Sequence, residues 1–189
     1  GYDDEKVLSR NLEDLWINDE FNKTAENFSK HIDSFRFDLA SQITYDFFWE
    51  KFCDWYIEFC KIKLNDTEVT QSEKNKIRAS LIDMMNKSLI LFHPILPFIT
   101  EEIWQDFKPF HKSNLISISQ EKFPKARKIS KDFSKIEALK KSISGVRNIR
   151  SEMLISQKTK IDILCESNGS LYKLFKKNKS YLQKMAGID

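Results

Sequence analysis

The sequence predicts a mainly α fold, an up-and-down helical bundle followed by a small α/β appendage. Three observations carry this. The 189 residues include only four Gly and four Pro, too few punctuators for a turn-rich β protein. Apolar residues recur three, four or seven positions apart over long stretches, as in amphipathic helices. The densest apolar block, residues 89–104 (LILFHPILPFITEEIW), contains Pro94 and Pro97, so a helix arriving at His93 must stop or kink there before another leaves.

Residues 4–32 form the first helix, with Val7, Leu8, Leu12, Leu15, Trp16, Phe21, Ala25, Phe28 and Ile32 as its apolar set. Asp33 and Ser34 break it. Residues 35–64 form a second, with Phe35, Phe37, Leu39, Ala40, Ile43, Phe47, Phe48, Phe52, Trp55, Tyr56 and Phe59. So wide an apolar set covers more than one stripe, which places this helix centrally. After the polar loop 65–72, Ser72 and Glu73 open a third helix, reaching Phe92 with Ile77, Leu81, Met84, Met85, Ser88 and Leu89 inward. Thr100-Glu101-Glu102 reads as a helix start, a capping hydroxyl followed by first-turn carboxylates, for a fourth helix to Phe107. Phe92, His93, Leu96, Phe98 and Trp104 are assigned to the core and its corner.

The pattern then changes. Residues 115–119 alternate as a short strand or extended segment, Phe123-Pro124 closes it, and a basic stretch follows. Residues 132–151 return to helix with Phe133, Ile136, Leu139, Ile143, Val146 and Ile149 inward. Residues 160–165 (KIDILC) alternate as a strand, Asn168-Gly169 marks a turn, and residues 170–178 read as helix. The domains are therefore a bundle over 1–112, an extended linker over 113–131 and a small basic α/β subdomain over 132–189.

Composition narrows the function classes. No run of about 18 apolar residues occurs, so no membrane span is expected, and the acidic start GYDDEKVLSR lacks a signal-peptide pattern. Cys53, Cys60 and Cys165 fit neither a disulfide framework nor a zinc pattern, and the chain reads as reduced, cytosolic and metal-free. Residues 1–120 carry 14 Lys/Arg against 21 Asp/Glu, residues 121–189 carry 17 against 7. A basic segment on an acidic body points to a polyanion partner or to a solvated lysine-rich face.

Catalytic chemistry has little to work with. His31, His93 and His111 lie in no nucleophile, metal or phosphate motif, and four glycines do not build a phosphate cradle. Glu101-Glu102 and the Asp46/Glu50 pair are explained by helix capping and solvation. Arg147 and Arg150, three apart, share a helix face and either grip phosphates with forked hydrogen bonds or pair with Glu137 or Glu152.

Residues 45–58 (YDFFWEKFCDWYIE), 89–104 and 146–152 (VRNIRSE) together resemble the C-terminal anticodon-binding region of the valyl-tRNA synthetase family, in that family's order. DLWI (14–17), FRF-x-x-A (35–40) and Phe123-Pro124 fit its weaker signatures. The resemblance covers about residues 10–165. The proline corner is shared with isoleucyl- and leucyl-tRNA synthetases; the FCDWYIE stretch points to valine.

The resemblance implies a bundle of the class I synthetase anticodon-binding type that holds the anticodon arm of valine-accepting tRNA. It implies a base contact at Ile57, with Asp54 and Lys61 on its face by helical spacing. Lys140, Lys141, Arg147 and Arg150 are the candidates for backbone contacts. The family's catalytic domain, with its HIGH and KMSKS signatures, its editing domain, and its upstream K-L-W-N-A-x-R-F helix have no counterpart in these residues. The chain thus reads as a non-catalytic piece of a larger enzyme, with no cofactor of its own; ATP and magnesium are implied for the missing catalytic domain. The partner is tRNA, not DNA or membrane, and the chain is expected to be a cytoplasmic monomer.

There are departures. Asn18-Asp19-Glu20 is acidic where the family is small and basic, and Ser156-Gln157 stands near the place of a family proline. The family's C-terminal coiled coil is not recognisable before Asp189. The rival readings are the same domain of an isoleucyl- or leucyl-tRNA synthetase and a helical adaptor that binds protein.

Overall fold

Asn11 and Asp14 set the start of the first helix. The Asn11 amide donates to Asp14 Oδ2 at 3.1 Å, so a first-turn carboxylate satisfies a backbone donor at the helix entrance. The computed structural model describes residues 11–111, 113–127, 131–156, 159–164 and 169–188. Val7, Leu8, Cys165, Asn168 and Gln157, all used in the sequence reading, lie outside the described residues. The chain divides into two compact units, residues 1–130 and 131–189.

In the first unit, α1 (Leu12–Asp33) turns into α2 (Phe37–Asp46), which continues without a break through a π-helical segment (Phe47–Ile57) into α3 (Glu58–Leu64). The turn at Ser34 closes with Phe35 N–H on Ile32 and Arg36 N–H on His31, a Schellman motif. Its left-handed position is held by Phe35 at φ 57°, a strained choice for a bulky residue. Phe35 and Phe37 are 79% and 57% exposed, not the core residues that periodicity predicts, because they stand at this turn rather than along the packed stripe. The core below is aromatic: Phe21 meets Phe47 edge-on at 5.6 Å and Phe48 meets Phe92 at 5.3 Å. Thr44 and Ser88, both buried, return their hydroxyls to carbonyls four residues back, so two polar groups sit between packed helices fully satisfied.

Helix α4 (Gln71–Phe92) is capped by Thr70, whose hydroxyl accepts the Glu73 amide, two residues earlier than Ser72 suggests. Helix α5 (Pro97–His111) begins at Pro97, where the ring's fixed φ suits a first helical position. Thr100 is therefore not the cap. It lies buried inside the first turn and donates to the Leu96 carbonyl at 2.7 Å. A threonine has one hydroxyl hydrogen, so His93 Nδ1, 2.8 Å away, is the donor between them. Starting the helix at Pro97 also turns Leu96, Phe98 and Ile99 outward, at 49%, 89% and 51% exposed, against the core assignment of Leu96 and Phe98. Trp104 is buried as expected, in a cluster with Leu89, Ile90 and Ile118.

Residues 115–119 do not pair as a strand. Ser117 caps a 3-10 turn (Ile118–Gln120), and Glu101 Oε2 accepts both the Ser117 hydroxyl at 2.7 Å and the Ile118 amide at 3.1 Å. Ile118 is pressed into the cluster, and further on Phe123 stacks on Phe28 at 5.6 Å.

The second unit holds α6 (Ser134–Glu152), α7 (Gly169–Lys177) and α8 (Lys179–Ala186). Of the strand over 160–165, the described residues show one parallel bridge, Ile161 to Ile188. Ile136, Leu139, Ile143, Tyr181 and Met185 make its small core. Arg150, 5% exposed, reinforces it: its guanidinium donates to the carbonyls of Gly187 (3.1 Å), Thr159 (2.7 Å) and Ser156. Gly187 stands at φ 68°, and a Cβ there would meet Arg150 Nη1 at 3.1 Å. Arg150→Met keeps the apolar stem and removes every donor. It is expected to cost about 3 kcal/mol, since carbonyls desolvated around a cation lose charge-assisted bonds. Hydrogen exchange should rise across residues 181–188 and stay unchanged in residues 12–64; equal protection in both variants would refute this role.

Candidate nucleic-acid interface

The residues predicted to touch RNA fall in two places. The first is the second long helix, whose winding decides what shares a face. Large rings crowd residues 47–57, and they pair four apart: Phe48 with Phe52 at 5.4 Å, Phe52 with Tyr56 at 6.0 Å, Trp55 with Phe59 at 5.8 Å. The π-helical turn, closed by i→i+5 bonds, is wider than an α-turn, so residues four or five apart align and residues three apart do not. Phe52, Tyr56, Phe59 and Cys60 are thereby buried. On the outer side Tyr45, Trp49, Cys53, Ile57 and Lys61 follow one another at intervals of four.

Tyr45 and Trp49 are stacked, 6.3 Å between centroids and 20° between planes, and both are more than half exposed. Ile57 is half-buried, one side in the bundle and one side free, and Lys61 is exposed and tied to Glu58 at 2.6 Å. Asp54 is exposed, but the wider turn carries it off the Ile57 face, which corrects the α-helical spacing argument. Cys53 takes its place, half-buried, its thiol pushed up by burial and by the charge of Asp54. The Tyr45–Trp49 stack and the position of Cys53 beside Ile57 both lie at the four-residue spacing of a helix face, a signal the sequence offered; that two large rings stay exposed is what it did not show.

One residue before Ile57, the Tyr56 hydroxyl donates to Asp14 Oδ1 at 2.6 Å, between groups 1% and 3% exposed. Burial first, then the neighbouring Cys60 and Asp14, holds the phenol far above its ordinary range. Burial and then the Asp14 charge push the Cys60 thiol from 9.0 up to about 12. Nearby, Lys63 of α3 pairs with Glu13 at 2.9 Å, a second tie between the start of α1 and the second long helix. Because the folded thiol keeps its proton longer than the unfolded one, this group's contribution is complete below pH 9 and is lost as pH rises toward 12. The urea midpoint of the wild type should therefore fall between about pH 8 and about pH 10, and that of Cys60→Ala should fall less. Equal slopes in the two proteins would contradict the assignment.

The second place is α6. Lys140 is only 7% exposed and bonds to Glu137 at 3.1 Å. Arg147 Nε donates to the Met185 carbonyl at 2.8 Å, and Arg150 is enclosed by the three carbonyls described above. Lys141 is exposed. Two of the four expected phosphate ligands, Arg147 and Arg150, thus tie α6 to α8 and to the glycine that follows it, while Lys140 pairs within α6. Helical spacing correctly put Arg147 and Arg150 on one face; it could not tell that α8 covers it.

Among the described residues no group of His, Cys, Asp and Glu could hold a metal ion, and no helix is long and apolar enough to cross a membrane.

A half-exposed apolar side chain and an exposed aromatic stack on one helix are surfaces on which an unstacked base can lie. Residues 14–165 match the family model of the anticodon-binding domain of tRNA ligase, and the chain belongs to that family. Its partner class is accordingly tRNA, and its context an aminoacyl-tRNA ligase.

Proposed function

We propose that this chain is the anticodon-binding region of a valine–tRNA ligase, an enzyme that attaches valine to its tRNA with ATP and magnesium in a separate catalytic part. In this reading the chain positions valine-accepting tRNA in the cytoplasm and acts as a monomer without a cofactor. The FCDWYIE stretch at 52–58 supports valine over isoleucine or leucine. The observation that carries the site is the placement of Ile57. It is half-buried on a helix fixed by the buried Tyr56–Asp14 hydrogen bond, so its free side is presented at a constant angle. An apolar group held this way packs against an unstacked base at little entropic cost. Lys61, one position of the same row further on, lies where a phosphate or base edge would follow, and Asp54 flanks the row. Lys141 supplies an exposed cation in the second unit.

The test is a titration against tRNA bearing the valine anticodon, against the same tRNA with isoleucine and leucine anticodons, and with Ile57→Ala as the variant. Preference for the valine anticodon, reduced about tenfold by the substitution, is expected from the lost apolar contact of roughly 1–2 kcal/mol. Preference for an isoleucine or leucine anticodon would move the assignment to those enzymes. Binding indifferent to both the anticodon and residue 57 would reject Ile57 as a base contact.

A further inference from the structure

Helices α7 and α8 lie beyond the residues that match the anticodon-binding family. Between Glu166 and Asp189 the sequence has no carboxylate, yet it places Lys173, Lys176, Lys177 and Lys179 within seven residues. The four are exposed and form no ion pair among the described residues. That contrasts with Lys23, Lys30, Lys61, Lys63, Lys87 and Lys140, each of which meets a carboxylate.

Helical spacing explains the arrangement. Leu174 and Phe175, half-buried, make the inward side of α7, which leaves Tyr172, Lys173, Lys176 and Lys177 on the outward side. Tyr172 is 57% exposed and stands one turn from Lys176, while Lys173 stands one turn from Lys177. Like charges at this spacing destabilise a helix unless a counter-charge is near. Lys176 and Lys177 gain a little from the helix C-terminus, but Lys173 and Lys179 do not. Leu174 and Phe175 are turned into the unit and only Leu171, at the start of α7, stays 38% exposed on that side, too little apolar face for the way amphipathic helices enter a membrane surface. What remains outward is three ammonium groups and a phenolic donor, groups that contact phosphate and sugar oxygens without reading sequence.

We propose that the outward face of α7, with Lys173, Lys176 and Lys177 at its centre and Tyr172 and Lys179 at its margins, is a second RNA-contact site that grips the sugar–phosphate backbone of the tRNA. It rests on the reading of tRNA as the partner, but on different residues from the anticodon contact. It also supplies the cations that Lys140, Arg147 and Arg150 do not.

The experiment uses the whole chain and a tRNA transcript with the valine anticodon, across a series of salt concentrations, for the wild type and for K173Q/K176Q/K177Q. Exposed Lys→Gln changes keep helix propensity, and circular dichroism checks the fold. The triple variant is expected to bind at least about tenfold more weakly at moderate salt. Its dependence of log affinity on log salt should be shallower by about 2, as for lost phosphate contacts, and its ratio of affinities between anticodons should match the wild type. Unchanged affinity and slope in a wild type that does prefer the valine anticodon would overturn the α7 site and leave the anticodon reading standing. Loss of affinity in the triple variant, with no anticodon preference in either protein, would uphold α7 and reject the base contact. No tRNA binding by the wild type, or lysine-dependent binding to phosphatidylserine vesicles in its place, would overturn the proposal.

Discussion

The buried hydrogen bond from Tyr56 to Asp14 is the constraint on which the first unit turns. Asp14 spends one carboxylate oxygen on the amide that opens α1 and the other on a phenol 42 residues away. A carboxylate removed from water is unfavourable unless its oxygens are met, so the two ends of this arrangement have to arrive together. Tyr56 arrives because the rings before it pair four apart and the turn widens to let them. The result fixes the rotation of the central helix about its own axis, and with it the direction in which the next residue, Ile57, faces. The polar contact thus sets the rotation of this helix, whereas the surrounding aromatic core supplies the driving force but little rotational specificity.

The second unit solves a different problem. It has few large apolar side chains, and a domain of such size is poorly stabilised by burial alone. Arg150 compensates by drawing three carbonyls from separate stretches around one planar cation, with Gly187 providing the close approach that any side chain would block. Arg147 adds a fourth tie, to Met185. The RNIR sequence thus serves architecture first. Guanidinium groups suit this because their donors are fixed in a plane and they stay charged when buried.

The helices of the bundle were legible in the sequence because their apolar spacing is strong and their loops polar: α1, the run from Phe37 to Leu64, α4 and α6 all stand where periodicity puts them. Details that depend on which of two short-range bonds wins were not. Thr100 looks like a cap, but Pro97 can begin the helix three residues earlier, and the threonine then serves the turn from within. Phe98, apolar and next to a proline, reads as core, yet its position in that early turn leaves it 89% exposed. At the candidate site, Ile57 and Lys61 were named from resemblance and helical spacing. The Tyr45–Trp49 stack lies at the same four-residue spacing, but a sequence does not tell that two large rings stay outside the core. The bonds of Arg147 and Arg150 were not legible for a third reason: a sequence shows that a charge exists, not whether a distant carbonyl will claim it.

The widened winding between Phe47 and Ile57 has a further consequence. A wide turn absorbs more residues than an α-turn over the same function, so chain length here is itself a structural variable. Removing a single residue inside this stretch would let ordinary α winding resume, with every side chain still apolar or polar as before. Unless the tighter winding made up the missing angle, all that follows would turn about the helix axis relative to α1. Tyr56 would swing away from Asp14 and the outward row would be broken at Trp49. Exchanging one ring for another in this segment is therefore a smaller perturbation than shortening it.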